Sequence, residues 1–518
     1  MKRHRPLETV FLVALVLLAL AARLIPGPRT VDDAYITFRY AHNLVEGHGL
    51  VYNPGERVLG TTTPLYAALL AALAWLSGWR DFPLLALGVN ALAGASSVLL
   101  LYALGRRLST RPVIGAAAAT AWAIAPFSVS FAVGGMETDL TIALLLGAFL
   151  AHVCRRDRVT AVCAALAFLA RPDTLIATAP LALDLWLDGL RSQKRRLFPW
   201  PEAAIALALL APWLIFASLY YGSPLPASLA AKSAAYRLPP TADLVRLIQH
   251  YSTPFLEHEV LGRSWQLVGA AVYLALCLIG GGRILRRERR AWPVLIYPYA
   301  YFAVFAVANP LLFRWYLSPP LPVYMLLIFE GAWTLAHDLS GLLARRRPGR
   351  LAAAVPRALF ALLLCAALAS TLNAWTLHPD HGPDRPAPEM AWFELELLYA
   401  QAADVVRAQA AEGDTLCAGD IGVLGYRSGM TILDTVGLVT PASSAYYPAD
   451  PAIYVINYAI PADLVLALDP DYIVILEVYG RLGLLPDARF QARYQLLERL
   501  ETDIYGSDGM LILARRQR

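Results

Sequence analysis

The chain has 518 residues, of which 58% are hydrophobic and 16% are charged, and its mean hydropathy is +0.50. Soluble domains carry about a quarter charged residues, so this composition excludes an ordinary soluble enzyme and indicates an α-helical polytopic membrane protein. The net charge of +5 comes from arginines clustered between apolar runs, which is a topology pattern and not a nucleic-acid-binding signal. Five scattered cysteines without CxxC spacing predict neither disulfides nor a zinc site.

Long apolar runs predict about eleven transmembrane helices. They are Leu7–Ile25, Leu84–Leu104, Val113–Phe131, Thr138–Val153, Ala203–Tyr221, Gln266–Ile279, Ala291–Ala308, Pro319–Ala336 and Leu351–Ala369, with two further spans inside Val159–Leu190. The last segment is too long for one helix, and Pro172 interrupts it in the middle. The first run lacks a clear small-x-small cleavage site, so we expect it to be retained as a span.

Basic clusters between these runs predict the orientation, because cytoplasmic loops are enriched in Lys and Arg. The clusters are Lys2–Arg5, Arg106/Arg107/Arg111, Arg155/Arg156/Arg158, Arg191–Arg196, Arg283–Arg290 and Arg345–Arg350. All of them lie on one side only if Thr63–Gly78 does not span. We therefore expect this segment to be a juxtamembrane helix within an external loop, residues 26–83, with the N-terminus cytoplasmic and the C-terminus outside.

The apolar runs stop near residue 370, which predicts three regions. Residues 1–370 form the transmembrane domain, 371–390 a His/Pro/Asp-rich linker, and 391–518 an extracytoplasmic α/β domain. In the last region we expect a helix at Ala391–Ala411 and strands at Thr415–Ala418, Thr431–Leu433, Tyr472–Leu476 and Met510–Ala514.

The polar, aromatic stretch Val31–Tyr66 follows the first span and is the first place to look for chemistry. Its two adjacent acids, Asp32 and Asp33, are candidate general bases at the membrane edge. The alternative is helix capping, with Thr30 as the cap and Asp33 three residues on. Further candidate substrate contacts in and near the stretch are Tyr35, Arg39, His48 and Thr62, although His48 between two glycines also suits an ordinary loop.

Other charged residues at the outer face could complete such a site. Glu137 begins a span, where an acid also suits a helix N-terminus. Arg171 and Asp173 lie at the broken hairpin, where they form either a structural pair or part of an active cavity.

Lys232 and Arg314 fall in predicted external loops, where basic residues run against the positive-inside bias. Binding of a lipid phosphate would explain them, and contact with lipid headgroups is the alternative. Tyr316, close to Arg314, and Asp420 in the C-terminal region are candidate sugar contacts.

Six motifs carry a family resemblance. They are DDAYITFRYAHNLVEGHGLVYNPGERVLG, GGMETDL, ARPDTL, YGSPLPASLAAK, RWYLSPPLP and GDIGVLGYRSGMTILDTVGL. Together they resemble bacterial GT-C-type membrane glycosyltransferases, with the cell-wall terminal arabinofuranosyltransferases nearest. Protein O-mannosyltransferases and lipid A aminoarabinose transferases are more distant. The stretch TTTPLY replaces the His-Pro-Pro of mannosyltransferase-like members, which counts against mannose.

The resemblance implies a reaction and its partners. An acid of the first external loop, here Asp32 or Asp33, would act as base on an extracytoplasmic glycan, lipid or protein acceptor. The donor would be a polyprenyl-phosphate sugar, arabinofuranose or a related pentose or hexose, and the reaction would invert the anomeric centre. Arg314, Lys232 and Arg171 would bind the donor phosphate. We expect a bacterial plasma-membrane enzyme that needs no metal or cofactor and binds no nucleic acid.

Two other classes of protein remain open from the residues alone: a lipid or sugar transporter or flippase, and a membrane scaffold. A transporter is expected to carry interrupted helices in two matching halves. Here the polar residues gather at one face, which favours surface chemistry.

Overall fold

The computed structural model describes residues 5–109, 111–191, 198–346, 350–376, 385–388 and 391–516. Within these ranges the N-terminal part consists of seventeen helices. They are α1 (Arg5–Leu24), α2 (Asp32–Val45), α3 (Pro64–Ser77), α4 (Phe82–Leu108), α5 (Pro112–Ile124), α6 (Pro126–Val133), α7 (Thr138–Val153), α8 (Asp157–Ala170), α9 (Leu175–Arg191), α10 (Trp200–Tyr221), α11 (Ala227–Ala235), α12 (Ala242–Tyr251), α13 (His258–Leu261), α14 (Trp265–Arg287), α15 (Trp292–Ala308), α16 (Leu321–Arg346) and α17 (Arg350–Asn373).

The helices make this a multi-pass membrane protein. Within the described residues, α1, α4, α10, α14, α15 and α17 are long and apolar enough to cross a membrane. The pair α5 and α6 adds a seventh span if it is counted as one, bent by 44°. The predicted segment Val113–Phe131 is therefore broken, because Pro126 interrupts it. The predicted count of eleven spans stays a prediction.

Two local predictions near the first loop can be compared with the structure. The helix α3 confirms a helix in the segment Thr63–Gly78, which ends at Gly78 in the left-handed conformation, φ 75°, and its juxtamembrane position stays a prediction. The helix α8 ends before Arg171, and a 3-10 turn at Pro172–Thr174 separates it from α9, which confirms the predicted break.

The helix α2 begins at Asp32 with Val31 as its N-cap, and no side chain caps it there, so the capping role predicted for Thr30 is wrong.

A five-stranded sheet forms the core of the C-terminal domain. Its strand order is β4-β3-β5-β7-β6, with β3 parallel to β4 and β5, and β7 antiparallel to β5 and β6. The strands are β3 (Thr415–Ala418), β4 (Thr431–Asp434), β5 (Tyr472–Leu476), β6 (Tyr494–Leu500) and β7 (Met510–Arg515), preceded by a short pair β1 (Trp375–Thr376) and β2 (Ala387–Pro388). All four predicted strands are confirmed. Half of the predicted linker, 377–384 and 389–390, lies outside the described residues.

Helices complete the C-terminal domain: α18 (Ala391–Gln409), α19 (Gly422–Ser428), α20 (Ala462–Leu468), α21 (Glu477–Gly480) and α22 (Ala488–Arg493). The long helix α18 confirms the one predicted at Ala391–Ala411. The hydrophobic core of this domain also takes in Tyr40 of α2, Tyr52 of the first loop and Ala231 of α11. The C-terminal domain and the first loop therefore share one core, and the candidate site lies beside it.

Candidate active site

A cavity with about 260 Å³ accessible to water lies where the first loop and other loops at the same end of the bundle meet the C-terminal domain. The helices α2, α11 and α15 and several loops contribute to its wall, so residues far apart in sequence converge on one space. The polar lining residues are Asp33, Thr37, Thr61, Thr62, Thr63, Glu137, Arg171, Asp173, Ser228, Lys232, Ser233 and Tyr316. Seven of the thirteen predicted site residues are in this set.

Asp33 and Lys232 face each other across the cavity. Lys232 Nζ lies 3.6 Å from Asp33 Oδ2 and 4.7 Å from the centre of the Phe313 ring. Burial disfavours the ammonium form of Lys232, but the charge of Asp33 outweighs it, with help from Tyr316, and raises the pKa of Lys232. The lysine is therefore a fixed positive charge in the cavity.

Arg171 is buried in the wall of the cavity and is held by several neighbours. Its Nε and NH2 donate to the two carboxylate oxygens of Asp173 at 3.0 and 2.8 Å, and its NH1 donates to the carbonyl oxygen of Trp315 at 3.3 Å. The guanidinium also lies 3.7 Å from Glu137 and 4.5 Å from the centre of the Tyr316 ring. The structural pair with Asp173 is thus present, and both residues also line the cavity, where an active role stays a prediction.

Asp32 does not line the cavity, although it is the neighbour of Asp33. Its Oδ2 accepts from the backbone N–H of Gly422 at 2.9 Å, and its Oδ1 accepts from that of Val423 at 2.7 Å. Burial and the charge of Asp420 raise the pKa of Asp32, whereas the two N–H donors oppose that rise. Asp32 therefore caps α19 of the C-terminal domain and anchors α2 to it.

Asp420 lies close to Asp32 and outside the cavity that Asp33 lines. It accepts a hydrogen bond from Tyr399 and lines a separate space of about 30 Å³ together with Tyr236, Tyr458 and Tyr479. Burial raises the pKa of Asp420, and the charge of Asp33 adds to the rise while Lys232 opposes it. The sugar contact predicted for Asp420 stays a prediction, and Asp420 is not among the residues that line the cavity with Asp33.

Four more predicted residues lie outside the cavity lining. Arg39 is buried and donates to the carbonyl oxygens of Tyr52 at 2.8 Å and Met430 at 2.6 Å, so it joins the first loop to the C-terminal domain. Tyr35 packs on the rings of Phe38 and Tyr426. His48 is exposed in a turn, and Arg314 is also exposed.

Sequence reasoning missed part of the wall. Thr37 and Thr61 both hydrogen-bond to the hydroxyl of Thr63 at 3.1 Å, which orders a row of hydroxyl groups beside Asp33. The triplet Thr61–Thr63 before Pro64 is the sequence signal for this row of hydroxyl groups. The two backbone N–H donors that hold Asp32 gave no side-chain signal at all.

One curated relative matches part of the chain. The terminal β-(1→2)-arabinofuranosyltransferase of Mycobacterium tuberculosis is 30% identical over 224 residues, which is 39% of this chain and 35% of the relative. The match thus spans about a third of that relative's length. A domain of unknown function, DUF8728, matches residues 389–513, which is nearly the whole C-terminal domain.

Solved structures match the chain over almost its full length. ArnT from Cupriavidus metallidurans aligns with a TM-score of 0.55 and 13% identity, covering 98% of both chains. The archaeal oligosaccharyltransferase AglB from Archaeoglobus fulgidus aligns with a TM-score of 0.58 and 12% identity, covering 92% of this chain and 70% of the other. The chain has the GT-C fold. The fold expected from the resemblance is thereby confirmed, and α2 and α3 are the helices of its first loop.

Proposed function

We propose that this chain is a membrane glycosyltransferase in which Asp33, and not Asp32, is the general base. The observation that carries the proposal is the different surroundings of the two acids. The carboxylate of Asp33 faces a cavity that has space for a substrate, whereas both oxygens of Asp32 are occupied by backbone N–H groups. A base needs hydrogen-bond access to the proton that it takes, which only Asp33 has here.

The cations of the cavity suit a phosphorylated donor. Lys232 and Arg171 both line the cavity, and a phosphate that contacts both would be bound by a point charge and by a planar guanidinium. One of the matching ArnT structures holds undecaprenyl phosphate, which makes a polyprenyl-phosphate sugar the donor class to test first. Arg314 has no part in this mechanism, because it does not line the cavity.

The proposed reaction is a single inverting displacement. Asp33 takes the proton of an acceptor hydroxyl while the acceptor oxygen bonds to the anomeric carbon and the bond from that carbon to the phosphate oxygen breaks. The polyprenyl phosphate leaves with the electron pair, and Lys232 and Arg171 stabilise its charge. Binding of the donor phosphate would also draw the ammonium group of Lys232 away from Asp33, so that the carboxylate of Asp33 could accept the proton of the acceptor hydroxyl.

The proposal also covers which sugar is transferred and on which side of the membrane the cavity opens. The partial match to an arabinofuranosyltransferase makes arabinofuranose the first sugar to test and an extracytoplasmic glycan the first acceptor. The basic residues Arg106 and Arg107 end α4 at the far side of the bundle from the cavity. By the positive-inside rule, the cavity would then open on the extracytoplasmic side.

The experiment compares Asp33→Asn with Asp32→Asn in purified protein supplied with a polyprenyl-phosphate arabinofuranose donor. Loss of a general base typically costs about 10²–10⁴-fold in rate, so Asp33→Asn should transfer sugar at least a hundredfold more slowly. Asp32→Asn should lower stability more than it lowers turnover. Wild-type transfer by a folded Asp33→Asn protein would remove Asp33 from the mechanism. Absence of transfer by the wild type, together with donor movement across vesicles, would favour a flippase.

A further inference from the structure

A second and much larger cavity lies on the flank of the helix bundle, between α1, α3, α4, α7 and α8. It has about 1310 Å³ accessible to water, more than the roughly 300–1,000 Å³ of pockets that hold drug-sized ligands. Small residues of α4 and α7 make its floor, among them Ala93, Ala103 and Gly147. Leucines such as Leu73 and Leu92 form its sides, so the groove is apolar along most of its length.

The groove runs along the bundle from the side of the candidate active site to the opposite side. On α4 its lining extends from Val89 to Arg107, which at about 1.5 Å per residue is roughly 27 Å. The hydrocarbon core of a bilayer is about 30 Å thick. A ligand that fills this space would therefore lie parallel to lipid acyl chains.

The end of the groove that is far from the candidate active site carries a net positive charge. Arg106, Arg107 and Arg156 line it together with a single acid, Glu8. Glu8 is paired with Arg106, and Arg107 lies 2.6 Å from Glu288. Even with both pairs formed, Arg156 leaves this end with a net positive charge, which is complementary to an anionic headgroup.

We propose that this groove binds one anionic phospholipid, with its acyl chains on the Ala/Gly floor and its phosphate at Arg106 and Arg156. The lipid would belong to the leaflet opposite the cavity that contains Asp33. A polyprenyl-phosphate donor would carry its phosphate at the other end of the bundle, beside Lys232, so the two ligands are distinct. The proposal does not depend on the proposed transferase activity.

Native mass spectrometry of the full chain in mild detergent tests the proposal. We expect one phosphatidylglycerol molecule to bind at least about tenfold more tightly than phosphatidylcholine with the same acyl chains, because each basic residue near a phosphate favours the anionic lipid. The double variant Arg106→Gln/Arg156→Gln should lose that preference and keep its phosphatidylcholine binding. Arg286→Gln is the matched control, since this exposed arginine of α14 does not line the groove.

A second variant tests the apolar part without removing charge. Gly147→Leu adds a side chain that projects from the floor, and it should weaken binding of both lipids by at least about tenfold. Equal binding of the two lipids by the wild type would overturn the proposal. Unchanged lipid binding by Gly147→Leu would overturn it as well, even if the double arginine variant fails to fold.

Discussion

The contact between Gly422 and Asp32 gives a sharp test of how the C-terminal domain holds the first loop. A Cβ added at Gly422 would lie 1.8 Å from the backbone oxygen of Asp32 and 2.8 Å from its carboxyl carbon. Both distances are shorter than any real contact, and one partner is backbone, so the two helices must separate. In the Gly422→Ala variant, the two hydrogen bonds to Asp32 lengthen or break.

The magnitude follows from three contributions. Overpacking of this kind costs about 1–3 kcal/mol, and loss of one hydrogen bond to a charged group costs about 1.5–3 kcal/mol. Alanine in a helix gains about 0.5–1 kcal/mol over glycine, because it has less freedom in the unfolded chain. The net weakening of the interface is then about 2–5 kcal/mol.

Limited proteolysis and sugar transfer measure the effect together. We expect Gly422→Ala to expose the 26–83 loop to protease and to lower turnover, because α2 carries both Asp32 and the proposed base. Gly88→Ala is the matched control, since a Cβ at Gly88 in α4 meets nothing within 4 Å. Protection and turnover at wild-type levels in Gly422→Ala would refute the reasoning that this contact anchors the loop.

Three further outcomes are expected. Lys232→Met should raise the KM for the donor by about tenfold or more, because it removes one of the charges proposed to bind phosphate, and an unchanged KM would count against that role. Burial raises the pKa of Asp434 to about 6 despite its backbone N–H donors, so the folded state binds the proton more tightly than the unfolded state. Stability should therefore fall as pH rises from about 4 to about 6, and calorimetry of Asp434→Asn, which cannot titrate, should lack this fall. A cysteine placed by Arg107→Cys should resist labelling from outside intact cells, and efficient labelling there would reverse the proposed orientation.

The helices and most of the sheet were predictable because their signals are local. Apolar length marks the membrane helices, and Pro172 marks the break between α8 and α9. The missed strand β6 has only Tyr494 fully buried, since it is an edge strand with Glu498 and Arg499 exposed. Without an alternating apolar pattern, local sequence gives no sign of such a strand.

Which of Asp32 and Asp33 faces the cavity could not be predicted from the local sequence, for a different reason. Adjacent residues on a helix point about 100° apart, so Asp32 and Asp33 must face different surroundings. Which of them faces the cavity depends on where α19 docks, nearly four hundred residues later in the chain. Arg314 shows the same limit, because it is exposed while Tyr316, two residues on, lines the cavity.

The docking of the C-terminal domain bears on the cavity itself, because the domain packs on both elements that supply the facing charges. Tyr40 of α2 and Ala231 of α11 belong to the core of that domain. The helix α2 carries Asp33 and α11 carries Lys232, so the 3.6 Å separation of their charged atoms is set by two helices resting on one sheet-based core. A domain that only recruited an acceptor would not need to be packed into the first loop. The shared core indicates instead that residues 391–516 hold the proposed base, Asp33, at a fixed distance from Lys232, which is proposed to bind the donor phosphate.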